Sequence, residues 1–462
     1  MRVKDLIQLS KNYLSLGLII ALLIVGIFLF IYKKYMKKNN ITIGKIIWMM
    51  VFCSYIVMIL SATLFDRGQF FKESSIIPFM YSYKDAWIHA SARAWRNIIF
   101  NILAFVPLGF LLPLGFKKLD RFWKVYCIGF LLTVLIECIQ LFSGCGIFEV
   151  DDMINNLLGT MIGYGGYRLI FHSMSYIKKS KNKKYRWRET ILLQIPLFLV
   201  VISAIILYTA YSVQELGNVS IQGIGRYKEG KLTVKSDRNF EDMTIKKPVY
   251  KCKIYSKKEA EEFAREMFEK LGVKLEEEES EFYQDEALFC ADSRYRLWFY
   301  YKGGGYSLID FDTIDCQKIA VDEEKIREDL LSYYIKIPDY AKIEYNKEGE
   351  FSFTMKKAEN GTINSNGFIK GKYCGNGKFS DLVYNLIQYE YYDDFDMISP
   401  KEAYKNLCDG KFNWHEKGDL NINVEGYEIK YIQDTKGFYQ PYYSFLCKVN
   451  GKEREIPIMG IK

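Results

Sequence analysis

The chain has 462 residues, of which 50% are hydrophobic and 26% are charged, and its formal net charge is +8. Residues 1–211 contain 25 Lys and Arg against 10 Asp and Glu, whereas residues 212–462 contain 38 against 45. Because the basic excess accompanies the long apolar runs, this asymmetry indicates two solvents and excludes nucleic acid as the expected partner. We predict an α-helical polytopic membrane domain followed by an α+β extracytoplasmic domain.

Six segments approach the ~20 apolar residues that a helix needs to span a bilayer. They are 14–32, 43–65, 98–116, 122–142, 153–171 and 191–211. The first follows three basic residues, but it is long and no A-x-A cleavage pattern comes after it, so we expect a retained helix. The loops after the first, third and fifth segments are rich in Lys and Arg, whereas the loop after the fourth has none. The positive-inside rule then places the C-terminal half outside the cytoplasm.

The predicted domains follow from these segments. An extra N-terminal transmembrane helix and basic loop occupy 1–42, the main transmembrane domain 43–211, and the extracytoplasmic domain 212–462. Capping boxes begin two helices of the last domain, at Ser256 and Ser399, and this weak repeat suggests lobes at about 212–330 and 331–462. Its six cysteines permit disulfides, but no C-x-x-C motif occurs, and we expect no metal and no cofactor.

Polar side chains interrupt three of the apolar helices at similar depth. They are Asn97 and Asn101 in the third, Glu137 and Gln140 in the fourth, and Asp151, Asp152, Asn155 and Asn156 at the start of the fifth. At 1.5 Å per residue, all of them fall within roughly 10 Å of the outer interface. Residues three or four apart share one face of a helix, so each helix presents a polar pair. We predict one shared ligand-binding site that opens to the outer leaflet.

A second interpretation is structural. Asp151 or Asp152 caps the fifth helix, because carboxylates suit the positive end of a helix. That reading does not explain Glu137, which lies inside a membrane helix, where an ionisable group is functional or else paired. We expect Asn101 or Asn155 as its hydrogen-bond partner.

Glycine and proline positions indicate how the helices pack. Gly159 and Gly163 form a G-x-x-x-G motif, which allows two helices to approach closely. Pro107 removes a backbone hydrogen bond near mid-membrane and is expected to bend the third helix beside Asn101.

The segments NIIFNILAFVPLGFLLPLGF, LIECIQLF and EVDDMINNLLGTMIGYGG, with TLF and SSIIPF upstream, resemble the VanZ-like family over roughly residues 45–172. Its members are small bacterial membrane proteins, named for one linked to resistance to the glycopeptide teicoplanin. The resemblance carries over Pro78, Asn97, Pro107, Gly109, Glu137, Gln140, Asp152, Asn156, Gly159 and Gly163. Many members have Arg-x-x-Asp-x-x-Asp where this chain has Gly146 and Glu149 at the first two positions. ISPKEAYKNLCDGKFNW further on is similar to helix starts in PepSY and YycH/YycI-type extracytoplasmic modules.

These observations favour a binding function over catalysis. The expected partner is a membrane lipid or a lipid-linked cell-wall precursor, which the protein binds or shields from a glycopeptide. The main alternative is a membrane-anchored sensor or regulatory protein, whose outer domain contacts an envelope protein. A membrane enzyme acting on lipid-linked wall intermediates is a third reading, although no nucleophile–base pair, P-loop or zinc motif is found.

Overall fold

The computed structural model describes residue 26 and residues 42–65, 76–143, 147–177, 187–221, 227, 230–313, 322–337, 341–345, 349–357, 363–375, 377–414, 416 and 418–461. The chain forms two compact units, Met1–Gln214 and Glu215–Lys462. Apart from Gly26, which is helical, the predicted first transmembrane segment lies outside these residues.

The first unit is helical. Its elements are α1 (Ile43–Leu60, continued by a π turn at Ser61–Phe65), β1 (Ile76–Ile77), α2 (Tyr81–Ile88), α3 (Ala92–Gly115), α4 (Phe122–Ser143), β2 (Phe148–Glu149), α5 (Val150–Ile177), α6 (Trp187–Leu192) and α7 (Ile195–Val213). The short strands β1 and β2 pair in parallel, with Ile77 opposite Glu149. This pairing brings the loop before α2 against the start of α5.

Four helical segments in the described part of the chain are long and apolar enough to cross a membrane: Ile43–Thr63, Ala92–Gly115, Phe122–Ser143 and Trp187–Val213. The predicted total of six stays a prediction. The predicted fifth span lies within α5, which has 28 residues and is therefore about 42 Å long. This helix is not among the four segments above. Four of its polar side chains, those of Asp151, Asn155, Asn156 and Thr160, are buried inside the protein.

The third predicted helix begins earlier than its apolar run. It starts at Ala92 rather than at residue 98 because the Ser91 hydroxyl accepts a 3.2 Å hydrogen bond from the Ala94 N–H and caps the helix. Pro107 and Pro113 both lie inside α3.

Glycines let α5 lie directly on its neighbour α3. A Cβ added at Gly159 would stand 1.9 Å from the Ile102 carbonyl oxygen, and one at Gly163 would stand 1.9 Å from that of Val106. A Cβ added at Gly109 on α3 would likewise stand 1.9 Å from the Thr160 carbonyl oxygen. Since these are backbone atoms, a side chain at any of these glycines would force the helices apart, and α5 is thereby fixed against α3.

The second unit is built on a 13-stranded sheet. Its strands are β3 (Leu232–Lys235), β4 (Ile245–Cys252), β5 (Glu281–Phe282), β6 (Glu286–Ala291), β7 (Tyr295–Tyr300), β8 (Tyr306–Asp310), β9 (Lys342–Tyr345), β10 (Glu350–Lys357), β11 (Ile363–Gly375), β12 (Lys378–Met397), β13 (Leu420–Gln433), β14 (Phe438–Val449) and β15 (Lys452–Met459). The main path runs β3-β13-β14-β4-β12-β8-β7-β6-β5, while β9, β10 and β11 extend from β12 and β15 pairs with β14. The parallel pair β3–β13 contrasts with the antiparallel ladders of its neighbours.

Three helices cover this sheet: α8 (Lys257–Lys270), α9 (Glu323–Leu330) and α10 (Pro400–Cys408). The capping box predicted at Ser256 is confirmed, because its side chain and that of Glu259 each bond the other's backbone N–H. Ser399 caps α10 through the Glu402 N–H. One hydrophobic core lies under α8 and α9 and a second under α10. The predicted two-lobe boundary stays a prediction.

Candidate functional site

The polar side chains of α3, α4 and α5 meet at one end of the helices. Asn101 donates from Nδ2 to Oδ1 of Asp152 over 2.5 Å, which joins α3 to α5. The Glu137 carboxylate on α4 is 2% exposed and accepts a 2.9 Å hydrogen bond from the Glu149 N–H, one residue before α5. The three helices thus share one polar region, and hydrogen bonding of Glu137 to Asn101 or Asn155 stays a prediction.

Asp151 caps a helix other than its own. Its carboxylate is fully buried and accepts hydrogen bonds from the backbone N–H groups of Met80 (2.7 Å) and Ser82 (2.9 Å). Met80 has a left-handed backbone conformation (φ 68°) and immediately precedes α2. The negative charge therefore stabilises the positive end of α2, while Asp151 and Asp152 also lie in the first turn of α5, as the sequence suggested.

Asn155 is held by Tyr83, which lies on α2. Its Oδ1 accepts a hydrogen bond from the Tyr83 hydroxyl. Burial, together with the nearby carboxylates of Asp151 and Asp152, raises the pKa of Tyr83 to about 12. The hydroxyl therefore stays protonated at neutral pH and remains a donor.

Gln140 and Asn156 complete the buried part of the site. Gln140 donates from Nε2 to the Thr63 carbonyl over 2.9 Å, and Asn156 donates from Nδ2 to the Thr133 hydroxyl, also over 2.9 Å. Three buried amide atoms have no hydrogen-bond partner in the described structure: Gln140 Oε1, Asn155 Nδ2 and Asn156 Oδ1. Leaving such a group unpaired away from water costs about 1–3 kcal/mol, so these atoms provide hydrogen-bonding capacity that the fold does not use.

We call the polar side chains at this end of the helices the polar site. They are Asn101, Glu137, Gln140, Asp151, Asp152, Asn155 and Asn156. Asn97, which the sequence also placed there, is exposed on α3 and makes no side-chain hydrogen bond within the described part of the chain. Pro78 lies in the turn before α2, where its carbonyl accepts from the Tyr81 N–H over 3.3 Å. It shapes the loop that Asp151 holds.

Sequence reasoning missed three polar partners. Thr133 lies four residues before Glu137 and seven before Gln140, so it shares their helix face, and that spacing was a usable signal. Ser82 and Tyr83 had no such signal, because α2 reaches α5 only through the path of the folded loop. The Ser82 hydroxyl also donates to the Glu149 carboxylate over 3.2 Å.

In the ranges that the structure describes, no three His, Cys, Asp or Glu side chains are grouped so that they could hold a metal ion. The chemistry available here is hydrogen bonding by amides and carboxylates in a site mostly closed to water.

Apolar helices long enough to cross a membrane, packed around buried polar side chains, indicate a membrane protein. Residues 10–172 match the family model described as VanZ/LLP1, and this part of the chain belongs to the VanZ-like family. The chain is also similar to Protein VanZ of Enterococcus faecium, with 31% identity over 75 residues, which cover 16% of this chain and 46% of that protein. It thus spans less than half the length of this relative. The resemblance of the second unit to PepSY-type modules stays a prediction.

Proposed function

We propose that this chain is a multi-pass protein of the bacterial cell membrane whose polar site binds a membrane lipid or a lipid-linked cell-wall precursor. One observation carries the proposal: Gln140, Asn155 and Asn156 each hold a buried amide atom without a partner among the described residues, beside fixed carboxylates. Polar groups in a membrane segment are expensive, and a cluster that keeps unused hydrogen-bonding capacity is better explained by a ligand than by packing.

The chemistry of the site suits a lipid headgroup. Among the described residues, Gln140 Oε1 and Asn156 Oδ1 offer acceptors and Asn155 Nδ2 offers a donor, which together match hydroxyl, amide or ammonium groups. Apolar side chains on the neighbouring helix surfaces face outward, such as Leu103 on α3 (55% exposed) and Leu135 on α4 (55% exposed). A hydrocarbon chain attached to the headgroup lies along this surface in our proposal.

We infer that the polar site faces the outer leaflet and that the second unit lies outside the cytoplasm. Lys117, Lys118 and Arg121 lie between α3 and α4, at the opposite end of these helices from Asn101 and Gln140. Positive charge marks the cytoplasmic end of membrane helices. Cys374 in the second unit is disulfide-bonded, which supports an oxidising compartment.

Similarity to the VanZ-like family supports a link between this chain and antibiotic resistance. In our proposal, binding shields a wall precursor from a glycopeptide of the teicoplanin type, so that expression of the chain lowers susceptibility. The main alternative is a membrane-anchored regulatory protein that acts through its second unit. The large sheet of that unit, with two cores of its own, favours this alternative over a simple anchor.

The binding proposal is tested by lipid retention. The full chain is purified in mild detergent, loaded with a lipid-linked wall precursor or with phosphatidylglycerol, and analysed by native mass spectrometry. Glu137→Gln keeps the shape of the side chain but removes its charge, and we expect it to lower occupancy about tenfold, equivalent to ~1.4 kcal/mol. The matched control is Asp85→Asn, which changes a carboxylate that is 39% exposed on α2.

Retention in both variants equal to that of the unmodified chain would contradict the proposal and favour the regulatory alternative. Preferential retention of phosphatidylglycerol would identify an ordinary membrane lipid as the ligand. Preferential retention of the precursor would support shielding of the cell wall.

A further inference from the structure

The second unit contains a cavity of about 660 Å³ between α8 and the strands β4, β8 and β12. Its size falls within the ~300–1,000 Å³ typical of small-molecule sites. All of its lining residues belong to the second unit, so the cavity is separate from the polar site among the membrane helices.

One wall of the cavity is aromatic. Tyr306 and Tyr384 are direct cross-strand partners on β8 and β12, and their rings stack with centroids 5.3 Å apart. Phe263 of α8 packs on Tyr306 at 5.2 Å and approaches Tyr334 at 6.4 Å. Tyr334 is 45% exposed, so this wall ends in an accessible ring.

A strip of side chains along β12 continues the aromatic wall and becomes polar toward the C-terminal end of the strand. Tyr384, Leu386, Gln388 and Glu390 all line the cavity at every second position, as expected for one face of a strand. At ~3.3 Å per residue, this strip is about 20 Å long. Such a length suits an extended, chain-like ligand better than a compact one.

The charges at the cavity are balanced. Lys253 pairs with Glu259 at 2.9 Å, and Lys251 lies opposite Glu390 in the β4–β12 register. An anionic or cationic polymer therefore gains little here. Gln388 and Glu390 instead offer hydrogen bonds to a neutral polar ligand.

The geometry points to a binding site for a neutral oligosaccharide. The apolar C–H faces of sugar rings would pack on Tyr334, Tyr384 and Phe263, while their hydroxyl or acetamido groups would bond Gln388 and Glu390. Aromatic rings suit this task because they offer large rigid apolar faces beside polar edges. The inference rests on the proposed position of the second unit outside the cytoplasm, where wall polysaccharide is present.

The test is titration calorimetry of the purified full chain with a soluble tetramer of N-acetylglucosamine. The detergent must lack a sugar headgroup, because such a headgroup would compete for the site. We expect saturable binding. Tyr334→Ala removes an aromatic face and Gln388→Ala removes a hydrogen-bonding group from the strip on β12, and each should weaken binding about fivefold. Tyr334→Trp keeps an aromatic face and should retain the affinity.

The matched control is Tyr391→Ala, which removes a ring that is also 45% exposed but lies outside the cavity. It should change the affinity by less than twofold, and thermal unfolding of every variant should stay close to that of the unmodified chain. Absence of saturable binding, or equal weakening by Tyr391→Ala, would overturn the inference. Because purified protein is used, the result does not depend on lipid retention by the Glu137→Gln variant, and failure of either proposal is recognised separately.

Discussion

Asn101 on α3 and Asp152 on α5 are joined by a 2.5 Å hydrogen bond from the amide Nδ2 to the carboxylate Oδ1, across 51 positions of the chain. Ile102, whose carbonyl oxygen faces Gly159, directly follows Asn101, so the close glycine contact and the polar contact fall on the same turn of α3. Backbone proximity thus fixes which polar side chains can pair.

We predict that Asn101 and Asp152 are energetically coupled. In a double-mutant cycle with Asn101→Leu and Asp152→Leu, the coupling free energy should be about 1 kcal/mol, between the average for membrane hydrogen bonds and that for charged ones. The measurement is the free energy of unfolding of the detergent-solubilised chain. Asn97→Leu, one turn earlier and exposed, is the control and should be additive with Asp152→Leu. Additivity of both pairs would show that the observed bond contributes nothing.

The carboxylates of the polar site are predicted to act in function rather than only in folding. Asp152→Asn and Glu137→Gln keep hydrogen-bonding groups of the same size, so both variants should reach the membrane at normal levels. Each should restore glycopeptide susceptibility in a host that expresses the chain, as read from the minimum inhibitory concentration. Asp85→Asn should behave like the unmodified chain. Full resistance in all three variants would mean that the polar site is structural.

Close contact between α3 and α5 is predicted to depend on Gly159. Gly159→Ala places a Cβ 1.9 Å from the Ile102 carbonyl oxygen, and overpacking of this kind costs about 1–3 kcal/mol. Thermal unfolding in detergent should therefore occur at a clearly lower temperature. On the same helix, Gly166→Ala meets nothing within 4 Å and should be neutral. Equal stability of the two variants would contradict the close packing.

The disulfide at Cys374 provides a test of compartment. In the full chain isolated from membranes without reductant, Cys374 should resist alkylation until a reductant is added. Cys408, which is a free and exposed thiol, should be alkylated directly and serves as the internal control. Mass spectrometry of the labelled peptides distinguishes the two. Immediate labelling of Cys374 would argue that the second unit does not occupy an oxidising compartment.

Local features of the sequence predicted local features of the structure. Apolar runs located α1, α3, α4 and α7, and the Ser256 capping box marked the start of α8, because hydropathy and capping depend on neighbouring residues. Counting along the helices also predicted one common depth for Glu137, Gln140 and Asn156, and that depth in a membrane stays a prediction. Helix α3 was longer than its apolar run because Ser91 sets its start.

The sequence by itself determined that this protein has an apolar helical half with polar groups at one depth and a second half rich in strands. Only the tertiary structure decided that Asp151 caps α2, that Tyr83 bonds Asn155 and that Glu137 accepts from the Glu149 N–H. These contacts join residues 12 to 72 positions apart. The G-x-x-x-G motif indicated a close helix contact, but which helix packs against it and the path of the loop before α2 depend on the whole fold.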